Sequence, residues 1–270
     1  SLERHDLSDV EWIVVDSSDD AAEVAALLTD LAITPDIYWI APSGVFEAMN
    51  FGLKQATGYY TYFLNAGDEL LPDALAAVRA AATTSDPAWI VAPVVLHELS
   101  GAITVTQQLD FPREQRTFFS RGRFANHQGT FVRTELLRQL GGFTTGYAVA
   151  ADYEMFLQLV QTDLPDQIDT PVARFTEGGV STQRWLRGWF EFGQARQSVF
   201  RLRGRERIPE RLRSLTNLAA MSWHRSPWPL SGALLVLSLV LLLFTGASLV
   251  QALSVTGAVA LQSFAGSVWW

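Results

Sequence analysis

Residues 44–73 read GVFEAMNFGLKQATGYYTYFLNAGDELLPD. VFEAMNFGLKQA (45–56) has apolar residues at helical spacing, and Thr57-Gly58 stops it as a helix commonly stops. YYTYFLN (59–65) is aromatic-rich and reads as a strand. PDALAAVRAAAT reads as a second helix with proline at its start. Helix, strand and helix in this order are the unit of an α/β fold. The strand runs into Asn65-Ala66-Gly67-Asp68. Carboxyl ends of strands in open α/β sheets are where ligands bind.

The alternation continues on both sides. EWIVV (11–15) is a short apolar, β-branched strand ending at Asp16, and SSDD offers an N-cap to AAEVAALLTDL. DIYWIA (36–41) is a second strand, broken by PSG. AWIVAPVVLHE (88–98) reads as one further strand, with AITVTQQ pairing beside it. Residues 124–160 read as a mixed connection and then a helix, ADYEMFLQLV, opening at Asp152. TPVARFTEGGVST (170–182) reads as a last strand and a Gly-rich loop. The expectation is an α/β domain with a mostly parallel sheet. No internal repeat or low-complexity tract is present.

Charge divides the chain into three. Residues 1–183 hold 10 Lys/Arg and 25 Asp/Glu, residues 184–225 hold 10 Arg and 3 Glu, and residues 226–270 hold no charge. Cysteine is absent, which excludes disulfides and thiolate zinc sites. RWLRGWFEFGQARQSVFRLRG (184–204) interleaves Trp, Phe and Leu with Arg. Two readings stand for it: a helix lying in a membrane interface, or a helix packing its aromatics on the first domain. PLSGALLVLSLVLLLFTGASLVQ (229–251) is a run of roughly 20 apolar residues, enough to cross a bilayer. ALSVTGAVALQSFAGSVWW (252–270) is either a second span or a tail. Arginine on the near flank predicts that residues 1–225 face the cytoplasm, at the cytoplasmic membrane.

The acids at element ends are the candidates for chemistry. Asp16 and Asp68 each follow a strand, where a carboxylate can bond a base or ribose, or hold Mg²⁺ or Mn²⁺ against a diphosphate. Asp152 opens a helix, where a general base can be held. The plain alternative for each is a helix cap. His127-Gln128 precede GTFVR, and a lone histidine is most often structural. No Walker A pattern, GxGxxG or HExxH occurs, and the glycine pairs at 141–142 and 178–179 are turn signals.

The ordered series EWIVVDSSDD, GVFEAMNFGLKQATGYYTYFLNAGDELLPD, HQGTFVRTELLRQLGGF, AADYEMFLQL and FTEGGVST resembles family 2 of the GT-A-fold glycosyltransferases. The resemblance is strongest to those building exopolysaccharides and cell-envelope glycans. It covers residues 1 to about 183 and is most specific at Gly44, Ala48, Asn50, Gly52, Ala56 and Gly58. It implies a Rossmann-like domain over 1–183; the charge and hydropathy of the remainder read as a basic juxtamembrane region over 184–225 and a transmembrane region over 226–270.

It also implies roles. Asp16 would contact the nucleotide base or ribose, with Asn50 and Asn65 on the same donor side. Asp68 would be the metal ligand, because Asn65-Ala66-Gly67-Asp68 stands where the family carries Asp-x-Asp. Asp152 would be the base, and His127 and Gln128 would line the acceptor side. EGGVS (177–181) matches a loop near donor or acceptor.

The implied reaction is inverting transfer from a nucleotide-diphosphate sugar, with Mn²⁺ or Mg²⁺, to a glycan acceptor; the apolar run and the basic aromatic segment point to a lipid-linked acceptor at a membrane, and no nucleic acid is implied. Two departures are notable. A first strand with a PTYN-like turn has no counterpart, so either the native chain is longer or this form is compromised; a missing strand should leave apolar surface bare. The acidic motif is also thinned to one carboxylate. Those departures keep two rivals in view: a non-catalytic membrane module of the same fold that binds nucleotide-sugar or a partner enzyme, and a nucleotide-dependent hydrolase or nucleotidyltransferase.

Overall fold

In the computed structural model, the described residues are 1–18, 21–28, 34–107, 109, 111, 125–179, 183–212 and 214. They fall into two units, the first within 1–114 and 125–185, the second from Leu186 onward.

The first unit is built on three sheets. β1 (Ile13–Asp16) and β2 (Asp36–Trp39) pair in parallel, Ile13 beside Asp36 and Asp16 beside Trp39. α1 (Ala21–Leu27) stands between them in the chain, and α2 (Val45–Gln55) follows. Ile37 and Trp39 on β2 are exposed, so apolar surface is bare at this pair. The second sheet takes β3 (Tyr60–Tyr62), β8 (Thr130–Arg133), β5 (Trp89–Val91) and β9 (Asp166–Gln167) in that order. The third takes β4 (Glu69–Leu70), β10 (Ala173–Thr176), β6 (Val94–His97) and β7 (Ile103–Val105).

Two sequence expectations are corrected here. The sheets are mixed, not mostly parallel: β8 runs against both β3 and β5, β10 against β4 and β7 against β6. Strand–helix alternation says nothing about a strand that enters between two others from a distant part of the chain. AWIVAPVVLHE is also not one strand. It breaks at Ala92-Pro93 into β5 and β6, which belong to different sheets. Pro93 has no N–H for a ladder, and its carbonyl instead accepts the Val172 N–H at 3.1 Å.

The helices follow their sequence pattern. α2 buries Phe46, Met49 and Leu53 on one stripe. α3 (Ala74–Ser85) turns Ala74 and Val78 into a cluster with Leu70, Ile90, Val94, Phe131 and Val172. α4 (Thr134–Gln139) follows β8 directly and ends at Gly141 and Gly142, both at positive φ. α5 (Ala151–Thr162) is buried along most of its length, including Tyr153, Phe156 and Leu159. Trp89 on β5 is fully buried, lies 6.1 Å from the Phe156 ring and donates its indole N–H to the Asp163 carbonyl at 3.0 Å. That bond ties the far end of α5 to β5.

Gly129, just before β8, is a point of very close backbone approach. A Cβ there would lie 2.3 Å from the Ala92 carbonyl oxygen and 3.0 Å from Val94 Cγ1. The Gly129 carbonyl accepts the Ala92 N–H at 2.8 Å. Only glycine lets the two backbones close to this distance.

α6 (Trp185–Val199) lies, from Leu186 on, in the second unit. Glu191, Phe192, Ala195 and Arg196 are buried, while Leu186 and Phe190 are exposed. Arg196 donates to Glu210 within the unit, and both side chains are almost wholly enclosed. No helix among the described residues is long and apolar enough to cross a membrane. The expected span at 229–251 lies outside the described residues.

Gly129→Ala is expected to lower the unfolding free energy by about 1–3 kcal/mol, the usual cost of overpacking. Gly146→Ala, where an added Cβ meets nothing within 4 Å, should stay within about 0.5 kcal/mol of wild type. Denaturant titration of the two variants side by side reads this.

Candidate active site

The antiparallel register of β3 and β8 sets Tyr62 beside Phe131. Their rings stack with centroids 4.3 Å apart. The end of β3 therefore meets the start of β8. The residues after β3, Asn65 to Asp68, face those before β8, the 3-10 turn His127–Gly129.

On the β3 side, the Asp68 N–H bonds the Asn65 carbonyl at 3.0 Å, closing a turn. Gly67 takes φ +92° at its third position, where such turns need glycine. The glycine that departs from the acidic motif is thus required by the bend. On the β8 side, Tyr62 donates its hydroxyl to the Gln128 carbonyl at 2.9 Å. The Gln128 side chain is buried and donates from Nε2 to Asp68 Oδ2 at 3.3 Å.

His127 links the two sides to α5. Asn65 Nδ2 lies 2.9 Å from His127 Nε2, and His127 Nδ1 lies 3.5 Å from Asp152 Oδ2. Asp152 sits in the first turn of α5, with its Oδ1 accepting the Tyr153 N–H at 2.7 Å. Asn65, Asp68, His127, Gln128 and Asp152 thus form one constellation from three separate stretches of sequence.

Its electrostatics are uneven. Burial pushes the Asp68 carboxyl above the ordinary carboxylate value, and the Gln128 N–H, the His127 ring and the Asn65 backbone N–H only partly oppose this. Burial, with the Asp68 charge beside it, also raises the Tyr62 hydroxyl, which stays protonated and remains a donor. A carboxylate held where its charge is disfavoured is a common mark of a functional site.

The described residues contain no group of three or more His, Asp or Glu side chains arranged to hold a metal. The donor set offers one hard carboxylate oxygen site at Asp68. That chemistry fits a divalent cation taking most of its oxygens from elsewhere, such as a bound diphosphate and water.

Two expected site residues stand apart from this constellation. Asp16 is buried at the end of β1, and its carboxylate takes the Ser18 N–H at 2.9 Å and the Ser18 hydroxyl at 3.1 Å. Asn50 is committed to structure. Its Nδ2 donates to the Phe143 carbonyl at 2.7 Å and its Oδ1 accepts the Phe143 N–H at 2.8 Å. The Phe143 ring packs on Phe46 and on Phe63, at the head of the Asn65–Asp68 segment. Asn50 thus supports the site from behind. Gly142 makes room for it, since a Cβ there would come 2.4 Å from Asn50 Oδ1. In the Gly-rich loop, Glu177 accepts the Leu99 N–H at 3.2 Å; residues 180–182 lie outside the described residues.

The sequence alone did not single out Gly129, Tyr62 or Trp89. Gly129 in HQGT looks like any turn glycine, and nothing local marks its approach to Ala92.

A family model described as glycosyl transferase family 2 matches residues 1–141, just over half of the chain. The chain belongs to glycosyl transferase family 2. The matched stretch holds every site candidate above except Asp152, which lies beyond it. This family member is 28% identical over 216 residues to the uncharacterized glycosyltransferase Rv1514c of Mycobacterium tuberculosis, covering 73% of this chain and 80% of the relative. It is 30% identical over 159 residues to a PGL/p-HBAD biosynthesis glycosyltransferase of Mycobacterium bovis, covering 57% of this chain and 59% of the relative. Among solved structures, S. aureus TarS 1–349 in complex with UDP-GlcNAc superposes with a TM-score of 0.61 at 15% identity, over 83% of this chain and 68% of that one. That likeness is one of fold.

Asp68→Asn tests the burial cost. The raised folded pKa means that the native state binds the proton more tightly than the unfolded chain does. Ionising Asp68 therefore costs stability as pH rises through the interval between the two values. The variant carries no such cost. It should be more stable than wild type at pH 7, and the difference should fade as pH falls below the ordinary carboxylate range. Thermal melts across pH 3–7 would show it, and a constant difference would refute the burial account.

Proposed function

We propose that the chain is an inverting transferase, moving a sugar from a nucleotide-diphosphate donor to an acceptor hydroxyl. The observation that carries this is the constellation at the β3–β8 edge. A carboxylate at a strand end, Asp68, shares one cluster with a carboxylate at a helix start, Asp152. The first suits the leaving-group side and the second suits a base.

In this reading Asp152 takes the proton from the acceptor hydroxyl. The freed oxygen attacks the anomeric carbon from the face opposite the diphosphate. The carbon–oxygen bond to the diphosphate breaks, and its electron pair leaves with the phosphate. Asp68 would hold one Mn²⁺ or Mg²⁺ ion, which supplies positive charge to offset that of the diphosphate. Asp16 would bond the base or ribose, and Gln128 holds Asp68 in place through its amide.

A biosynthetic acceptor is supported by relatives named for PGL/p-HBAD biosynthesis, and a nucleotide-sugar donor by the UDP-GlcNAc complex of TarS. A lipid-linked or polysaccharide acceptor at the cytoplasmic membrane is supported by the uncharged run at 229–251 and the arginine-rich segment before it. The catalytic domain would face the cytoplasm. A second reading, a non-catalytic module that binds nucleotide-sugar, draws on one observation: Asp68 is the single carboxylate where the family carries several.

Asp152→Asn is expected to lower kcat by about 10²–10⁴-fold, the usual worth of a general base, with donor binding intact. The assay is a screen of nucleotide-sugars against a membrane-lipid extract, with and without Mn²⁺, using the full chain. Donor binding without turnover in the wild type, for every sugar tried, would favour the non-catalytic module. Unchanged turnover in Asp152→Asn would remove it as the base.

A further inference from the structure

The amide at position 65 stands where the family resemblance puts an acid, and the reaction scheme above gives it no task of its own. We propose that Asn65 and His127 form a positioning relay, in which Asn65 sets the tautomer of His127 and His127 orients Asp152 toward the acceptor. The inference rests on Asp152 being the base.

The chemistry follows from which atoms face each other. Asn65 Nδ2 lies 2.9 Å from His127 Nε2. An amide nitrogen carries hydrogens and no usable lone pair, so Nε2 must present its own lone pair. A neutral imidazole then carries its proton on Nδ1. Nδ1 faces Asp152 Oδ2 at 3.5 Å. An N–H is therefore aimed at a carboxylate across a gap wider than a closed hydrogen bond, and such contacts often tighten only when substrate binds. The other carboxylate oxygen, Oδ1, takes the Tyr153 N–H. Both oxygens of Asp152 are thus addressed, which fixes the plane of the group. The side chains of His127 and Asp152 are each only 17% exposed, so water competes weakly for these positions.

All three members sit on fixed backbone. Asn65 is in the turn closed by the Asp68 N–H, and Asp152 is in the first turn of a buried helix. His127 opens a 3-10 turn whose Gly129 is seated against Ala92.

An aspartate at 65 would reverse the arrangement. A carboxylate only accepts, so it would draw the imidazole proton to Nε2. Nδ1 would then turn a lone pair toward Asp152, or the ring would hold two protons between two carboxylates. The first repels the base and the second makes it weaker. The amide therefore does more than omit a metal ligand.

The test is imidazole ¹⁵N–¹H correlation spectroscopy on the full chain, labelled at histidine, metal-free and at pH 8. His127 is assigned by the signal lost in His127→Gln. The expected wild-type pattern is the Nδ1–H tautomer. Asn65→Asp should convert it to the Nε2–H or doubly protonated form, and should lower kcat by about 10-fold or more through misorientation. A wild-type Nε2–H pattern would overturn the relay, and needs no variant to fold. So would an Asn65→Asp variant whose tautomer and kcat both match wild type. Full turnover in Asp152→Asn is a separate, purely kinetic failure of the base assignment, whereas the spectrum of the wild type bears on the relay alone.

Discussion

The close approach of Gly129 to Ala92 is the constraint on which the rest depends. It seats the start of β8 against the junction of β5 and β6, where the chain passes from one sheet to another. With β8 held there, its antiparallel pairing to β3 leaves one place for the residues on either side of the strand ends. His127 and Gln128 come to stand opposite Asn65 and Asp68. A side chain at 129 would push the backbones apart and separate the two halves of the site, although it would touch no functional group.

Around that seat, packing and polarity have been traded against each other. Tyr62 contributes its ring to Phe131 and its hydroxyl to Gln128, so one residue serves both core and site. Gln128 is buried to hold Asp68, and Asp68 is held where ionisation is disfavoured. A carboxylate kept against that preference is consistent with a group reserved for a cation or a charged ligand.

Much of this was legible in the sequence where one local signal decides the outcome. The 45–56 helix and the helix opening near Asp152 follow from apolar spacing. The short strands at 13–16 and 36–39 follow from β-branched and aromatic runs between turn signals. The ordered motifs pointed to the family that the 1–141 match shows. The sheet was less legible. AWIVAPVVLHE has no internal polar break, so Pro93 was the only sign that it is two strands. Strand direction has no sequence signature, and β8 reverses the expected order. Asn50 was less legible for a related reason. Its place in a specific motif suggests a ligand contact, and nothing beside it in the chain announces the clasp it makes on the Phe143 backbone.

The sequence by itself determined which residue types are available: an acid after a β-branched strand, an acid near a helix start, an amide and glycine in place of acids, and a chain whose charge is spent before residue 226. These are properties of neighbours along the chain, and local propensity and patterning are enough to fix them. Only the tertiary structure decided which of these residues meet. Asp68 with Gln128 and Asn65 with His127 are joined across 60 or more positions by strand pairing, and His127 meets Asp152, 25 positions on, at the start of one buried helix. The glycine of FLNAGD turns the chain and its amide faces a histidine, and neither fact can be read from the residues beside them.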